Sequence, residues 1–436
     1  MVVGVFGLAV VVGTVLLMLP VSRQHDRSTT WLQALFTATS AVCVTGLTVV
    51  DTATHWSPSG QVVVLLLAQI GGLGIMTLAS VVVLALNRRF GMNARQFAEA
   101  ERSAGSAGQV RPLLFAVVRY SLWFESIGAA LLLIRFRFGY GLDWGDAAWN
   151  GLFHSVMAFN NAGFGLRSNN FVDFAGDVWM NVVVGVLVVC GGLGFPVLME
   201  LRRHLARREQ RLALSLHSRV TLVASGGLLL FGTVALAAAE WSNARTIGPM
   251  SVPDKLLASA FQSVQTRTAG FNSIDIGAMN RGSWLLMCIL MFIGGGSAGT
   301  AGGIKVTTFA IIGLMIWSEL RGDGDVTVFR RRFPERAQRR AVAIAALSMG
   351  AVMIGGLAMV SLTTVDLDRS LFEVTSAFGT VGLSTGVTAD LPASAQLMLV
   401  ALMYLGRLGP LTLGAALVLR ERTLRYRYPE EQPIIG

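Results

Sequence analysis

Eight stretches of this chain stay apolar for about 20 residues or longer, the length a helix needs to cross a hydrocarbon core about 30 Å thick. They run 1–20, 61–86, 113–134, 178–201, 220–239, 283–317, 341–364 and 396–419. The first has no basic n-region and no A-x-A cleavage site behind it, so it reads as a span and not as a signal peptide. The connections 87–111, 202–219, 318–340 and 420–428 hold five, six, seven and four Arg, together 22 of the 35 Lys and Arg. Short loops that rich in Arg stay in the cytoplasm. With an even number of spans, the N- and C-termini lie on that side too.

The connections on the opposite side are not simple loops. Each opens on a moderately apolar, helix-like stretch and closes on a Gly: WLQALFTATSAVCVTGL (31–47), AAWNGLFHSVMAFNNAGFGL (147–166), KLLASAFQSVQTRTAGFNSID (255–275) and SLFEVTSAFGTVGLSTG (370–386). The stretch before each Gly is about 12 residues, too short to span, which predicts a re-entrant segment. The closing glycines are Gly46, Gly163, Gly270 and Gly382, spaced by 117, 107 and 112 residues. A second Gly cluster follows each one: IGGLG (70–74), CGGLG (190–194), GGGS (294–297) and LGRLG (405–409). Self-similarity at a fixed period defines the architecture. The pattern predicts an all-α polytopic membrane protein of eight transmembrane spans, in four span–pore-helix–span repeats around a pseudo-fourfold pore. The repeats are 1–86, 113–201, 220–317 and 341–419, with 420–436 a cytoplasmic tail.

Irregular backbone at membrane depth is tolerated only where it is buried in protein or lines water. Four half-helices entering from outside would aim their partially negative C-terminal ends at one axis, which favours a cation. The return segments would present carbonyl oxygens that replace the ion's water shell. Gly suits the crowded centre because it accepts backbone angles that other residues resist. Gly71, Gly72, Gly191 and Gly192 read instead as close-packing sites that make room for the half-helices.

Segment 283–317 has 35 residues, about 52 Å as one helix, and must break. GGGSAGTAGG (294–303), with six Gly among ten residues, marks the break and predicts an intramembrane loop. Lys305 follows it, either holding the loop or reaching water. Arg407 lies near the middle of the last span, where an ionisable group is costly and points to function. It occupies the position of Leu73 and Leu193 in the other repeats, which aims it at the axis; the structural alternative is a pair with Glu373 or Glu125. Arg119 and Glu125 read as structural partners of neighbouring helices. Asp51 and Asp275, each five residues after a closing Gly, serve either to concentrate cations at the outer mouth or as loop acids and caps.

Composition narrows the classes. The chain is 53% hydrophobic and only 14% charged, which excludes an ordinary soluble domain and a disordered one. The excess of Lys and Arg over acids reflects membrane orientation and not nucleic-acid binding. Three Cys, all in apolar stretches, indicate no disulfide framework. No H-E-x-x-H occurs, the His are not on facing spans, and the adjacent pair His154–Ser155 falls in a half-helix, so an enzyme is not expected. The rival reading is a secondary cation carrier with a midplane site, but that predicts inverted repeats, and these four run in one orientation.

VTGL (44–47), FHSVMAFNNAGF (153–164), FQSVQTRTAGF (261–271) and FEVTSAFGTVGLSTG (372–386) resemble the four pore loops of the Trk/Ktr/HKT superfamily of potassium transporters. The match is closest to the bacterial Ktr membrane subunit, and it covers essentially the whole chain. The resemblance implies potassium uptake across the bacterial cytoplasmic membrane. It implies a potassium site of backbone carbonyls at Val44, Thr45, Gly46, Asn161, Ala162, Gly163, Thr268, Ala269, Gly270, Thr380, Val381 and Gly382. Gly46, where sodium-preferring relatives carry Ser, implies potassium preference. It also implies a gate at Gly294, Gly295, Gly296, Ser297, Gly299, Gly302, Gly303 and Lys305, with Arg407 as an electrostatic barrier below the filter. A homodimer on a cytoplasmic ring of nucleotide-binding regulatory subunits, stimulation by sodium, and no cofactor beyond the transported ion complete what the family implies.

Overall fold

The computed structural model describes residues 2–25, 27–89, 110–206 and 214–419. The Arg-rich stretches 90–109 and 207–213 and the tail 420–436 lie outside the described residues. What is described is mostly helical. Four helices are long and apolar enough to cross a membrane, or five if one bent pair is a single span. Shorter apolar helices at Val3–Met18, Arg281–Phe292 and Ala393–Gly409 fall in three other segments of the hydropathy pattern. Large apolar side chains such as Leu8, Phe115, Leu230 and Ile354 face outward, as lipid-facing helices require.

Four half-helices sit among these longer ones: Trp31–Val42, Trp144–Asn160, Val252–Gln265 and Leu367–Gly379. The first starts on a capping box, in which the Thr30 side chain accepts from the Gln33 amide and the Gln33 side chain accepts from that of Thr30. Ser251 caps the third. Their C-terminal turns are buried. The second, at 17 residues, is longer than the dozen its sequence suggests.

The helix after each half-helix packs against the next half-helix along the chain. Pro58–Arg89 adjoins Trp144–Asn160, Val178–Leu193 adjoins Val252–Gln265, Arg281–Phe292 adjoins Leu367–Gly379, and Ala393–Leu419 adjoins Trp31–Val42. The last contact closes the chain into a ring.

Segment 283–317 breaks as expected, into Arg281–Phe292 and Val306–Arg321 with non-helical backbone between them. Segment 178–201, expected as one continuous span, breaks as well. It divides into Val178–Leu193 and Phe195–Ala206, bent by 105°. The expectation of one unbroken span over 178–201 is therefore corrected. Gly194 has φ +94°, outside the helical region. Pro196 has no amide hydrogen to give to Gly192 O one turn back, and that carbonyl accepts from Gly296 N at 2.8 Å instead.

The downstream Gly clusters allow the close approach. A Cβ on Gly71, Gly191 or Gly406 would overlap the carbonyl oxygen of Val42, Phe159 or Phe378 respectively, in each case the residue four before a closing Gly. Gly313, also in a helix, has no neighbour within 4 Å of an added Cβ. Gly406→Ala is thus expected to destabilise the detergent-solubilised protein by about 1–3 kcal/mol through overpacking. Gly313→Ala should be neutral or stabilise by up to about 1 kcal/mol. Thermal unfolding of the two variants beside the parent checks both.

Candidate ion pathway

The four closing glycines meet. Gly46, Gly163, Gly270 and Gly382 have φ of +91°, +67°, +78° and +91°. A Cβ on Gly46 would lie 2.5 Å from Ala162 O and 2.9 Å from the Gly163 Cα; one on Gly163, 2.8 Å from Ala269 O and 3.0 Å from the Gly270 Cα. One on Gly270 would overlap Val381 O, and one on Gly382 would overlap Thr45 O. Each Gly therefore abuts the carbonyl of the residue just before the next Gly, in the cyclic order 46, 163, 270, 382. The residue two before each Gly is also left-handed: Val44, Asn161, Thr268 and Thr380.

Local sequence produces this turn. In the first, second and fourth half-helices the left-handed residue closes a Schellman cap. Val44 N donates to Ala41 O and Thr45 N to Ser40 O; Asn161 N to Ala158 O and Ala162 N to Met157 O; Thr380 N to Ala377 O and Val381 N to Ser376 O. The third differs by one residue, with Ala269 N bonding Gln265 O at 3.1 Å. Buried side chains take the amides the ring turns inward. Ser40 Oγ accepts from Gly46 N, and Ser376 Oγ from Gly382 N, both at 3.1 Å. His154 Nε2 accepts from Leu166 N at 3.3 Å, and Glu373 Oε1 accepts from Thr385 N at 2.8 Å. None of these four acceptors stood out as a site residue in the sequence; the serines, each six residues before a Gly, carried the signal.

Above the ring lies an open vestibule of about 500 Å³, and all four glycines line it. Asp51 and Asp275 line it too. Each also caps a helical turn, Asp51 Oδ1 accepting from Ala53 N and Asp275 Oδ1 from Gly277 N, as the capping reading expects. Arg167 shares the wall.

Beneath the ring lies the loop Gly294–Gly303. Gly294 N donates to Ile304 O, Thr300 N to Gly191 O, and Ala298 O accepts from Phe195 N at the kink. A Cβ on Gly295 or Gly299 would crowd Gly192 O, and one on Gly302 would overlap the Thr380 side chain. The Thr300 hydroxyl is 3.2 Å from the Asn161 side-chain amide. Ser297 Oγ pairs with Thr307 Oγ1 at 3.2 Å, and Gly303 has φ +62°. The loop thus touches Asn161 on one side and Thr380 on the other.

Three cations bind carbonyls of this loop. Arg407 Nη1 donates to Thr300 O and its Nη2 to Gly71 O at 3.4 Å. Lys305 Nζ donates to Ala301 O at 2.5 Å. Arg267 Nη2 donates to Gly294 O at 3.1 Å. Arg267 was missed in the sequence, although it is the only Arg or Lys in VTGL (44–47), FHSVMAFNNAGF (153–164), FQSVQTRTAGF (261–271) and FEVTSAFGTVGLSTG (372–386).

The alternative pairing of Arg407 with Glu373 or Glu125 does not occur. Glu373 is held by Ser384, Thr385 and Thr388. Glu125 accepts from Gln69, Ser121 and Asn160. Both carboxylates are saturated by neutral donors. Arg119 is exposed and has no ion-pair partner among the described residues, so its expected structural pairing is not found either.

Comparison with known proteins agrees with this geometry. The TrkH family, described as cation transport protein, matches residues 4–421. The Ktr system potassium uptake protein B of Bacillus subtilis is 39% identical over 434 residues, 99% of this chain and 95% of that protein. The potassium/sodium uptake protein NtpJ of Enterococcus hirae is 33% identical over 99% of this chain and 95% of its own length. The crystal structure of the potassium transporter TrkH from Vibrio parahaemolyticus superposes with a TM-score of 0.73, covering 96% of this chain and 84% of that one, at 19% identity. That last likeness is one of fold. The ring of four glycines lies between a vestibule and a loop held by Arg and Lys side chains, and the chain belongs to the TrkH/Ktr family of cation transport proteins, a transporter and not an enzyme.

Proposed function

We propose that this protein takes up potassium across the bacterial cytoplasmic membrane through a pore that runs from the vestibule, through the glycine ring, to the loop Gly294–Gly303. The carrying observation is the ring itself: four left-handed glycines in cyclic contact, each at the C-terminal end of a buried half-helix. In this reading the eight spans form four repeats about a pseudo-fourfold axis. The half-helix ends place partial negative charge at the axis. Carbonyls of Val44, Thr45, Asn161, Ala162, Thr268, Ala269, Thr380 and Val381, with those of the four glycines, replace the hydration shell of K⁺. Names of the relatives support the ion: two Ktr system proteins B are potassium uptake proteins, and NtpJ is a potassium/sodium uptake protein.

The loop is the gate. Its small residues rearrange without dragging bulky side chains through packed helices, and Arg407 adds a fixed positive charge on the path that opposes cation passage. The Ktr relatives work as a named system, which supports a cytoplasmic nucleotide-binding partner ring seated on the Arg-rich faces. A homodimer, and sodium as an activator, complete the reading.

Three outcomes follow. Gly46→Ser places an atom 2.5 Å from Ala162 O and distorts one quarter of the ring. The K⁺/Na⁺ uptake ratio in potassium-transport-deficient cells should fall about tenfold or more, an energy of about 1.4 kcal/mol; an unaltered ratio would remove Gly46 from the filter. Shortening the loop by residues 297–300, or Arg407→Ala, should raise ion flux in proteoliposomes and make it less dependent on the cytoplasmic partner, with non-additive effects in combination. A normally folded deletion with unchanged flux and regulation would mark the loop as a passive kink. For orientation, a membrane-impermeant thiol reagent added outside should label Ser59→Cys and spare Arg331→Cys and Arg208→Cys; the opposite pattern would invert the topology.

A further inference from the structure

Arg267 stands three residues before Gly270, where the third half-helix ends, and its side chain is buried. Its guanidinium turns away from its own helix. The last carbonyls there are taken locally, Gln262 O by Thr266 N and Gln265 O by Ala269 N, so Arg267 is not a cap. Nη1 donates to Ser225 O at 3.0 Å, inside the unbroken helix Leu216–Glu240. Nη2 donates to Gly294 O at 3.1 Å, the first residue of the loop. Nε has no partner, and no carboxylate pairs with the group among the described residues. Burying a cation on carbonyls alone costs several kcal/mol. The other three half-helices end without one. The stretch from Arg267 to the ring is short and strained, since Thr268, a β-branched residue, sits at φ +104°.

We propose that Arg267 couples the gate to the filter. With the loop seated, the guanidinium ties Gly294 to a rigid helix and to the turn that leads into Thr268–Gly270. When the loop leaves the pore the bond to Gly294 is lost, and the third filter segment relaxes out of the ring. Gate position thereby sets ion discrimination as well as flux. The proposal rests on the reading of the ring as filter and the loop as gate.

The test compares K⁺ flux and the K⁺/Na⁺ permeability ratio in proteoliposomes for Arg267→Lys, for Arg407→Ala and for the protein lacking 297–300, alone and combined. Lys keeps the charge but cannot bridge two carbonyls as a planar fork does. Arg267→Lys should raise flux and lower the ratio about threefold or more, the lower end of such couplings. In the shortened protein, where the loop no longer holds Gly294 in place, the same substitution should add little. A residue that only stabilised the fold would lower the amount of protein and leave the ratio per molecule untouched. If Arg407→Ala or the deletion raises flux while Arg267→Lys leaves the ratio at the parent value, the coupling fails and the gate stands. If none of the three alters flux, the gate reading fails and the coupling with it. A second measurement needs no change at Arg267: in Arg407→Ala, the amides of Ala269 and Gly270 should exchange hydrogen faster together with those of the loop. Faster loop exchange with Ala269 and Gly270 unchanged would overturn the proposal.

Discussion

No side chain fits where the four half-helices meet. Each of Gly46, Gly163, Gly270 and Gly382 presses on a neighbouring carbonyl, and an added Cβ at any of them would come within 3.0 Å of backbone. That crowding organises the rest of the molecule. The half-helices can converge only if the helices behind them also yield space, so Gly71, Gly191 and Gly406 sit against the carbonyls of Val42, Phe159 and Phe378. Backbone turned inward at membrane depth must still find partners. Schellman caps satisfy part of it, and Ser40, Ser376, His154, Gln265 and Glu373 side chains accept further amides. The result is a ring of backbone fixed by packing, with its four glycines lining an open vestibule.

Charge is distributed by the same logic. The buried acids Glu125 and Glu373 spend their acceptors on neutral donors and hold half-helices and return segments in place. The cations Arg267, Lys305 and Arg407 go to carbonyls of the loop. Acids and bases at this depth are thus kept apart, each satisfied by dipoles.

The break at Gly194–Pro196 gives the loop its seat. Pro196 frees the carbonyl of Gly192, and the loop amide of Gly296 takes it, while Thr300 N takes that of Gly191. Two adjacent quarters are therefore altered together, one to form the loop and one to receive it.

Much of this was legible in the sequence, for reasons of period and cost. Apolar runs separated by Arg-rich connections mark spans because polar backbone and charge are expensive in lipid. Four glycines at near-constant spacing are the four that meet in the ring, and six Gly in ten residues mark the loop because they disfavour a helix. Arg407 stood out as a charge at mid-span. What the sequence could not decide is which groups meet across the repeats. Arg407 had two candidate acidic partners on paper, and only the folded chain brings Thr300 O and Gly71 O to it while surrounding Glu125 and Glu373 with hydroxyls and amides. Pro196 was visible, yet the bend of 105° follows from a carbonyl that is claimed by a loop about a hundred residues away. Arg267 was hidden for the same reason: its meaning lies in Ser225 O and Gly294 O, backbone atoms that carry no residue signature. Side-chain type and spacing record what each segment must do alone, whereas contacts between backbone dipoles and distant side chains exist only once the tertiary structure has closed.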